Sequence, residues 1–185
     1  MNKFQEIEKQ YEYLRKLWLD YWTQEVVFTY QWWIMIFVLV TPLFLWWRLV
    51  DKTRIMEISM VGLLISIIAF LLDQIGSSLG YWTYPYTLTP LERDLWAVAN
   101  FSILPFFYMM IYQWFPKWKT YILGTMIFAL FAAFIGETIF QWLGIYVMLK
   151  WKHIYSVLGY ILLGIFVKVI LKKLKTIEAI SKSKE

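Results

Sequence analysis

Five long apolar runs dominate this sequence and limit what the chain can fold into. Each has roughly 20 residues, the length at which a helix crosses the hydrocarbon core of a bilayer. The runs are continuous rather than alternating, which favours helices over strands. The sequence therefore predicts an all-α membrane protein, a bundle of five membrane-spanning helices over residues 26–47, 56–79, 95–114, 121–143 and 154–171.

The composition supports this class and excludes several kinds of site. Hydrophobic residues make up 61% of the 185 residues and charged residues only 17%, against about 25% charged residues in soluble domains. The chain has no cysteine and a single histidine, His153, which excludes thiolate sites and histidine-rich metal sites within one protomer. The sequence also has no P-loop and no His-Glu-x-x-His motif. We therefore expect no bound metal and no cofactor.

Residues 1–25 precede the first run and differ from it in character. Apolar side chains recur there at steps of three and four, and charged side chains fill the positions between them. This pattern predicts an amphipathic helix that lies along the membrane surface or, alternatively, packs on the loops of the bundle. Its apolar positions are Phe4, Ile7, Tyr11, Leu14, Trp18 and Tyr21.

Basic residues beside the runs predict the orientation of the chain. Lysine and arginine collect in the 48–54 and 117–119 loops and in the tail 172–185. Such loops stay on the cytoplasmic side, so we expect a plasma-membrane protein with its N-terminus outside and its C-terminus in the cytoplasm. The same topology signal accounts for the net charge of +5, and we expect no nucleic-acid partner.

The chain repeats itself with an offset of 64 residues. Asp73 corresponds to Glu137 and Gly80 to Gly144, each within a pattern of Ala-Phe, a carboxylate and Leu-Gly-x-aromatic. Spans two–three and four–five are therefore predicted to be two copies of one hairpin, related by an axis along the membrane normal. The N-terminal helix with the first span is then a degenerate third copy. Chance similarity between apolar helices is the alternative.

Two carboxylates fall inside the predicted spans. Charged groups in a membrane are costly and usually face protein or water, so Asp73 and Glu137 are the first functional candidates, as acid and base if the chain is an enzyme. Each shares a helix face with small residues, which predicts that it points into the bundle. Polar residues at a similar depth are Gln31, Gln74, Asn100 and Gln141. We expect an outward-facing pocket whose carboxylates share a proton or bind a cation; the alternative is that they only fix helix packing.

An aromatic loop follows the second predicted span and is placed to cover this pocket. Trp82 and Tyr84 lie in it, Glu92 comes after it, and His153 lies at the exit of the other copy. These residues are candidate ligand-binding groups. An ordinary interfacial aromatic belt is the alternative.

Five stretches, residues 46–52, 72–76, 80–86, 112–119 and 135–155, carry a resemblance that covers nearly the whole chain. They resemble a family of small multi-spanning membrane proteins of endospore-forming Gram-positive bacteria. The resemblance implies a bacterial plasma membrane and no particular activity.

A weaker similarity is to the membrane-embedded lycopene cyclase domain. In that family an acidic residue precedes a Gly-x-Trp-x-Tyr-like stretch and a later Pro-x-Glu element. The corresponding positions here are Asp73, Gly80, Trp82, Tyr84, Pro90 and Glu92. Arg93 stands where the family has a second acidic residue.

Three functions are compatible with these features. The leading hypothesis is a protein that binds a lipid-like or small polar ligand in the outward-facing pocket, with membrane lipid around it. The second is an integral membrane enzyme acting on an isoprenoid or lipid. The third is a small transporter or proton-coupled carrier, which with so few spans would require a homo-oligomer.

Overall fold

The computed structural model describes residues 2–91 and 97–183, and most of these residues are helical. Within them, four helical segments are long and apolar enough to cross a membrane. They are α2 (Tyr30–Leu49), α3 (Ile55–Ser78, entered through a 3-10 turn at Lys52–Arg54), α6 with α7 (Trp118–Phe131 and Glu137–Trp142, joined by a π turn), and α8 (His153–Lys182). Large apolar side chains such as Phe37 and Leu162 are exposed on their outer surfaces, which suits lipid contact. An all-α membrane protein is therefore confirmed.

The third predicted span, 95–114, is not one continuous helix. A single turn, α4 (Val98–Phe101), stops at Ser102, and α5 (Ile103–Trp114) follows it. Pro105 explains the break, because its nitrogen cannot donate to the carbonyl of Phe101 and its ring crowds that carbonyl. The 12 residues of α5 extend about 18 Å, less than the hydrocarbon core of about 30 Å. The count of five spans therefore stays a prediction.

The short helix α5 occupies the middle of the bundle. It packs on α2, α3 and α6, while α8 packs on α3 and α6. Most α5 side chains are buried, and Tyr108 is fully enclosed. Its hydroxyl donates to the carbonyl of Tyr160 in α8. Helix-on-helix contacts are also close at two glycines, since a Cβ at Gly62 or Gly164 would lie 2.6 Å from Met109 or Tyr108 respectively.

The helices α3 and α7 each end in a turn of the same type. In each, a glycine adopts a left-handed conformation, Gly80 with φ +68° and Gly144 with φ +73°. The amide of Gly80 donates to Ser77 and that of Tyr81 to Gly76, and the second turn repeats both bonds 64 residues later. This is the Schellman C-cap, in which glycine avoids the steric penalty of positive φ. The equivalent geometry agrees with the predicted offset, although whole hairpins as repeats remain a prediction.

The chain segments after these two turns pair with each other. The two-residue strand β1 (Trp82–Thr83) is antiparallel to β2 (Val147–Met148), with Trp82 opposite Met148. The amides of Leu149 and Lys150 both donate to the carbonyl of Tyr81. The exits of the two helices are thus tied together at one end of the bundle.

The N-terminal helix α1 (Lys3–Tyr21) buries none of its residues and continues into a π turn at Trp22–Val26. Its apolar positions Phe4 and Tyr11 are more than 60% exposed. The contacts of α1 in the described chain are mainly with the following π turn, so α1 leaves its apolar face open. At the other end of the chain, α8 continues to Lys182 and includes most of the predicted basic tail.

Candidate functional site

A cavity of about 520 Å³ lies between α3, the α4–α5 segment, the α6–α7 segment and α8. Its walls are mainly apolar, and both intramembrane carboxylates open onto it. Its aromatic and aliphatic wall residues include Leu104, Phe107, Phe128, Phe131, Phe140 and Leu163. The predicted inward orientation of Asp73 and Glu137 thus places both carboxylates on one enclosed space.

Asp73 is held by two donors from the loop that follows its own helix. Its Oδ1 accepts from the indole nitrogen of Trp82 at 2.9 Å and from the hydroxyl of Tyr84 at 2.6 Å. The side chain is buried, with 8% of the residue exposed. The Gly80 turn makes these contacts available, because it reverses the chain and returns the loop over the end of α3.

The ring of Trp82 lies directly on Gly76, one helical turn beyond Asp73. A Cβ at position 76 would lie 2.0 Å from the ring, so only glycine leaves room for the indole there. Burial, and next the Asp73 carboxylate, raise the pKa of Tyr84 well above its ordinary value. The Tyr84 hydroxyl therefore remains a donor to Asp73 throughout the physiological pH range.

Glu137 is held by donors from α8. Its Oε2 lies 2.9 Å from Nδ1 of His153, and its Oε1 accepts from the hydroxyl of Tyr160 at 2.9 Å. A π turn at Ala132–Gly136 directly precedes Glu137. Such a turn inserts an extra residue into the helix and changes the direction of the side chains that follow, and it is frequent at functional sites. The α3 helix has no π turn at the position of Asp73, so the two carboxylates are presented differently.

The broken helix supplies a third polar group to the cavity. Asn100 in α4 lines it and is only 6% exposed. Its Nδ2 has no hydrogen-bond partner among the described residues. Buried amide groups normally have partners, and irregular backbone at membrane depth is tolerated where it is enclosed by protein or lines a cavity. The Asn100 amide is thus a donor that a bound molecule can use.

Aromatic side chains close one end of the cavity. Trp82 packs edge-on against Trp151 at 5.0 Å between ring centroids, and Tyr84 lies 5.5 Å from Tyr146. Burial, followed by the charges of Glu137 and Asp73, raises the pKa of Tyr146, so this hydroxyl senses both carboxylates. We refer to Trp82, Tyr84, Tyr146 and Trp151 as the aromatic roof. Trp142, another aromatic residue near this exit, is 84% exposed and does not belong to it.

The loop that follows Tyr84 of the roof is also held by the π turn after α1 and by α2. The indole nitrogen of Trp22 donates to the carbonyl of Thr87 at 3.0 Å, and that of Trp32 donates to Leu88 at 3.1 Å. The loop from Tyr84 to Leu88 is therefore fixed between the N-terminal segment and the two glycine turns, and its position over the cavity does not depend on β1 and β2 alone.

The remaining predicted ligand-binding residues are placed differently. Gln141 does not line the cavity, but its Nε2 is 3.4 Å from Nε2 of His153. Gln31 is buried in α2 and Gln74 is half-buried in α3, and neither lines the cavity. Gln31 nevertheless shares a helix face with Met35, which does line the cavity. A ligand-binding role for Gln31 and Gln74 therefore stays a prediction. Glu92 lies outside the described residues.

The sequence interpretation missed Tyr160 and Ser156 as cavity residues. Tyr160 had a usable signal, since it follows His153 by seven residues and therefore shares its helix face. The sequence interpretation also missed a polar cluster around a single carboxylate, Glu57, at the opposite end of α3. There Glu57 accepts from Arg54, Tyr112 and Lys175. Glu57 stands in the first turn of the span, where an acidic residue beside Arg54 resembles a loop charge.

The chemistry of the site combines an apolar chamber with carboxylate acceptors and an amide donor. Asp73 and Glu137 present carboxylate oxygens, and Asn100 presents an N–H group. The contact between Glu137 and His153 joins two groups that exchange protons in many proteins. A molecule with an apolar body and a small end bearing hydroxyl or amine groups would match this arrangement.

The fold and the site together define an all-α membrane protein with a largely apolar internal cavity. No family model, curated protein or solved structure matches the chain. The two family resemblances of the sequence therefore remain hypotheses.

Proposed function

We propose that this chain binds a lipid-like ligand in the cavity between α3, α5, α7 and α8. The apolar body of the ligand fills the chamber, and its small polar end contacts Asp73, Glu137 and Asn100 under the aromatic roof. One observation carries the proposal: both intramembrane carboxylates open onto the same apolar cavity of about 520 Å³. Small-molecule sites typically have volumes of about 300–1,000 Å³, apolar walls and a few convergent polar groups.

The polar groups favour a neutral or cationic end with donors over an acidic one. Two carboxylates would repel a carboxylate or phosphate on the ligand at short range. A hydroxyl or amine can donate to Asp73 or Glu137, and a hydroxyl oxygen can accept from Asn100. An alcohol or amine end on an isoprenoid-like or acyl body is thus the ligand class we propose.

Access from the lipid supports a membrane-derived ligand. Leu72 and Ile75 on α3 and Phe131 on α6 line the cavity and are each at least half exposed. The α3 helix packs mainly on α5 and α8 rather than on α6. The gap between α3 and α6 is therefore the proposed lateral entrance.

The finer topology belongs to the same proposal. The α4–α5 segment acts as a fifth, broken span, and the hairpins α3–α5 and α6–α8 act as two copies of one unit. The equivalent turns at Gly80 and Gly144 support this. Basic residues at the opposite end of the bundle favour the aromatic roof on the outer side of a bacterial plasma membrane.

An enzyme acting on an isoprenoid or lipid is the second candidate, and the Glu137–His153 contact favours it. In that case Glu137 and Asp73 would serve as base and acid on a bound hydrocarbon. A carrier is less well supported, because it needs a polar path through the bundle. On the side of the cavity away from the aromatic roof, the described core of Val61, Ile65, Met110 and Val167 is closely packed and apolar.

The experiment is lipid analysis of the purified protein by native mass spectrometry and lipid extraction. Gly159 lines the cavity, and a Cβ placed there meets nothing within 4 Å. The substitution Gly159→Leu should therefore fill the cavity without disturbing the fold. Leu158→Phe adds bulk to the same helix at a position that is 56% exposed and outside the cavity lining, so it serves as the control.

We expect one amphiphile to be enriched in the wild-type protein over bulk membrane lipid. It should fall by about tenfold or more in Gly159→Leu, a change of about 1.4 kcal/mol, and persist in Leu158→Phe. A wild-type lipid profile equal to that of the bulk membrane would exclude retained-ligand binding. Equal enrichment in both variants would place the ligand outside this cavity.

A further inference from the structure

A second cleft lies at the other end of the bundle. It has a volume of about 680 Å³ and is formed by the turn between α5 and α6 and the later half of α8. Lys168 follows His153 by 15 residues, so the cleft lies about 22 Å along α8 from the roof side. Its charge is opposite in sign to that of the cavity, because its charged lining residues are the lysines Lys168, Lys172 and Lys175.

These three lysines share one face of α8, since they are spaced by four and three residues. Lys168 is fixed at the base of the cleft: its Nζ donates to the carbonyls of Phe115 and Pro116 at 3.2 and 3.1 Å. The same ammonium lies 3.8 Å from the centroid of the Tyr121 ring. Lys168 is only 6% exposed, so it adds positive charge to the floor rather than to the surface.

Acidic groups do not balance the cleft. Glu57 pairs with Lys175 at 2.9 Å, but it also pairs with Arg54 at 3.2 Å. The nearby Glu178 pairs with Lys182 at 2.6 Å. The Lys172 ammonium takes part in none of the ion pairs or hydrogen bonds found in the described chain. The cleft therefore has excess positive charge, and the Lys172 ammonium is available to an anionic ligand.

The surroundings match a lipid interface. Trp118 lines the cleft, and indole rings favour the boundary between headgroups and acyl chains. On another face of α8, Leu174 and Ile177 are 50% and 64% exposed, which gives this part of the helix an apolar side next to its basic side. Basic clefts between membrane helices on the cytoplasmic side bind anionic lipid headgroups.

We propose that this cleft binds the phosphate-bearing headgroup of an anionic phospholipid. The phosphate lies between Lys172 and Lys175 above the fixed Lys168, and the acyl chains pass along the apolar side of α8. This site is separate from the cavity and takes a ligand of the opposite charge preference.

The test is lipid retention by the full chain in nanodiscs or mild detergent. The protein is first equilibrated with vesicles that contain phosphatidylglycerol, cardiolipin and phosphatidylcholine in equal amounts. The lipids that stay bound are then counted by native mass spectrometry. The variants are Lys172→Gln and the double variant Lys172→Gln with Lys175→Gln. Lys173→Gln is the control, because it removes the same charge from an exposed position of α8 outside the cleft lining and breaks none of the ion pairs found in the described chain. Lys172→Gln leaves the Glu57 bridge intact, so it keeps the test valid if the double variant unfolds.

We expect the wild-type protein and Lys173→Gln to retain phosphatidylglycerol or cardiolipin in preference to phosphatidylcholine. Retention should fall by about fivefold in Lys172→Gln and further in the double variant, following the usual contribution of one lysine near an anionic surface. The difference should shrink at high salt, which screens exposed charges. Equal retention of phosphatidylcholine, or equal loss in Lys173→Gln and Lys172→Gln, would overturn the proposal.

Discussion

The ring of Trp82 rests on the backbone of Gly76, at a distance where a methyl group at Gly76 would lie 2.0 Å from the indole. The same indole donates from its nitrogen to Asp73. Gly76 therefore governs whether the aromatic roof can reach the carboxylate. This dependence links a single helix position to the closure of the cavity.

Replacement of Gly76 by alanine should force Trp82 away and break its hydrogen bond to Asp73. Overpacking of this kind costs about 1–3 kcal/mol, which opposes the small gain in helix propensity from alanine. We expect a lower melting temperature and lower retention of the cavity ligand. Gly159→Ala is the control, since it meets nothing within 4 Å. A Gly76→Ala protein with unchanged stability and unchanged ligand content would refute the role of this contact.

The turns at Gly80 and Gly144 should respond alike to substitution. Both have positive φ and a Cβ at either would meet no atom closer than 3.8 Å, so alanine there introduces backbone strain without a clash. We expect each substitution to destabilise the protein by about 1–2 kcal/mol, as measured by denaturation in detergent. A marked difference between the two variants would mean that the turns are equivalent in shape but not in their energetic role.

Removing the Tyr84 hydroxyl should weaken the hold on Asp73. Tyr84→Phe deletes the 2.6 Å hydrogen bond and leaves a buried acceptor with one donor fewer, at a cost of about 1–3 kcal/mol. Tyr86→Phe is a matched control, because Tyr86 lines the same cavity without a hydrogen bond to either carboxylate. Equal melting temperatures for the two variants would argue that the Tyr84 contact adds nothing.

The raised pKa of Tyr84 has a consequence at high pH. A tyrosine whose pKa is higher in the folded than in the unfolded chain contributes stability that is present below pH about 10 and is lost as pH rises further. We expect Tyr84→Phe to reduce the alkaline loss of stability, as measured by unfolding between pH 9 and about 11. An identical alkaline profile in wild type and variant would contradict this assignment.

Thiol labelling tests the orientation, because the chain has no cysteine of its own. Lys150→Cys lies at the roof end and Lys182→Cys at the end of α8, and both positions are exposed. Thr87 is unsuitable as the outer site because it is only 2% exposed. In intact cells an impermeant reagent should label position 150 and leave position 182 unlabelled. The opposite pattern would place the roof in the cytoplasm.

The sequence predicted the class of fold and the two carboxylates for physical reasons that act locally. A continuous apolar run requires a membrane helix, and an acidic residue inside it must face protein or water. The faces of Asp73 and Glu137 were predictable because small residues share them. Whether Gln74 lines the cavity was not predictable, since it directly follows Asp73 and neighbouring positions on a largely apolar helix differ little in character.

Tertiary features escaped the sequence pattern. The break at Ser102 depends on how Pro105 is accommodated next to the cavity. A proline inside a membrane helix can instead produce only a kink. The π turn before Glu137 has no characteristic amino-acid pattern by which the sequence could predict it. The Glu57 cluster depends on Tyr112 and Lys175, which lie 55 and 118 residues away. Contacts over such separations arise only from the packing of whole helices.

The most direct test of the account compares the carboxylates at the two ends of the bundle. Asp73→Asn, Glu137→Gln and Glu57→Gln each replace a hydrogen-bonded acid by an amide, and each should cost a similar amount of stability, about 1–3 kcal/mol. The measurement is the amount of the cavity ligand per mole of protein, defined as the species lost from Gly159→Leu, alongside the melting temperature. We predict that Asp73→Asn and Glu137→Gln lose the ligand while Glu57→Gln retains it. Full retention in Asp73→Asn and Glu137→Gln would show that the carboxylates only stabilise the fold and would contradict the proposed ligand site.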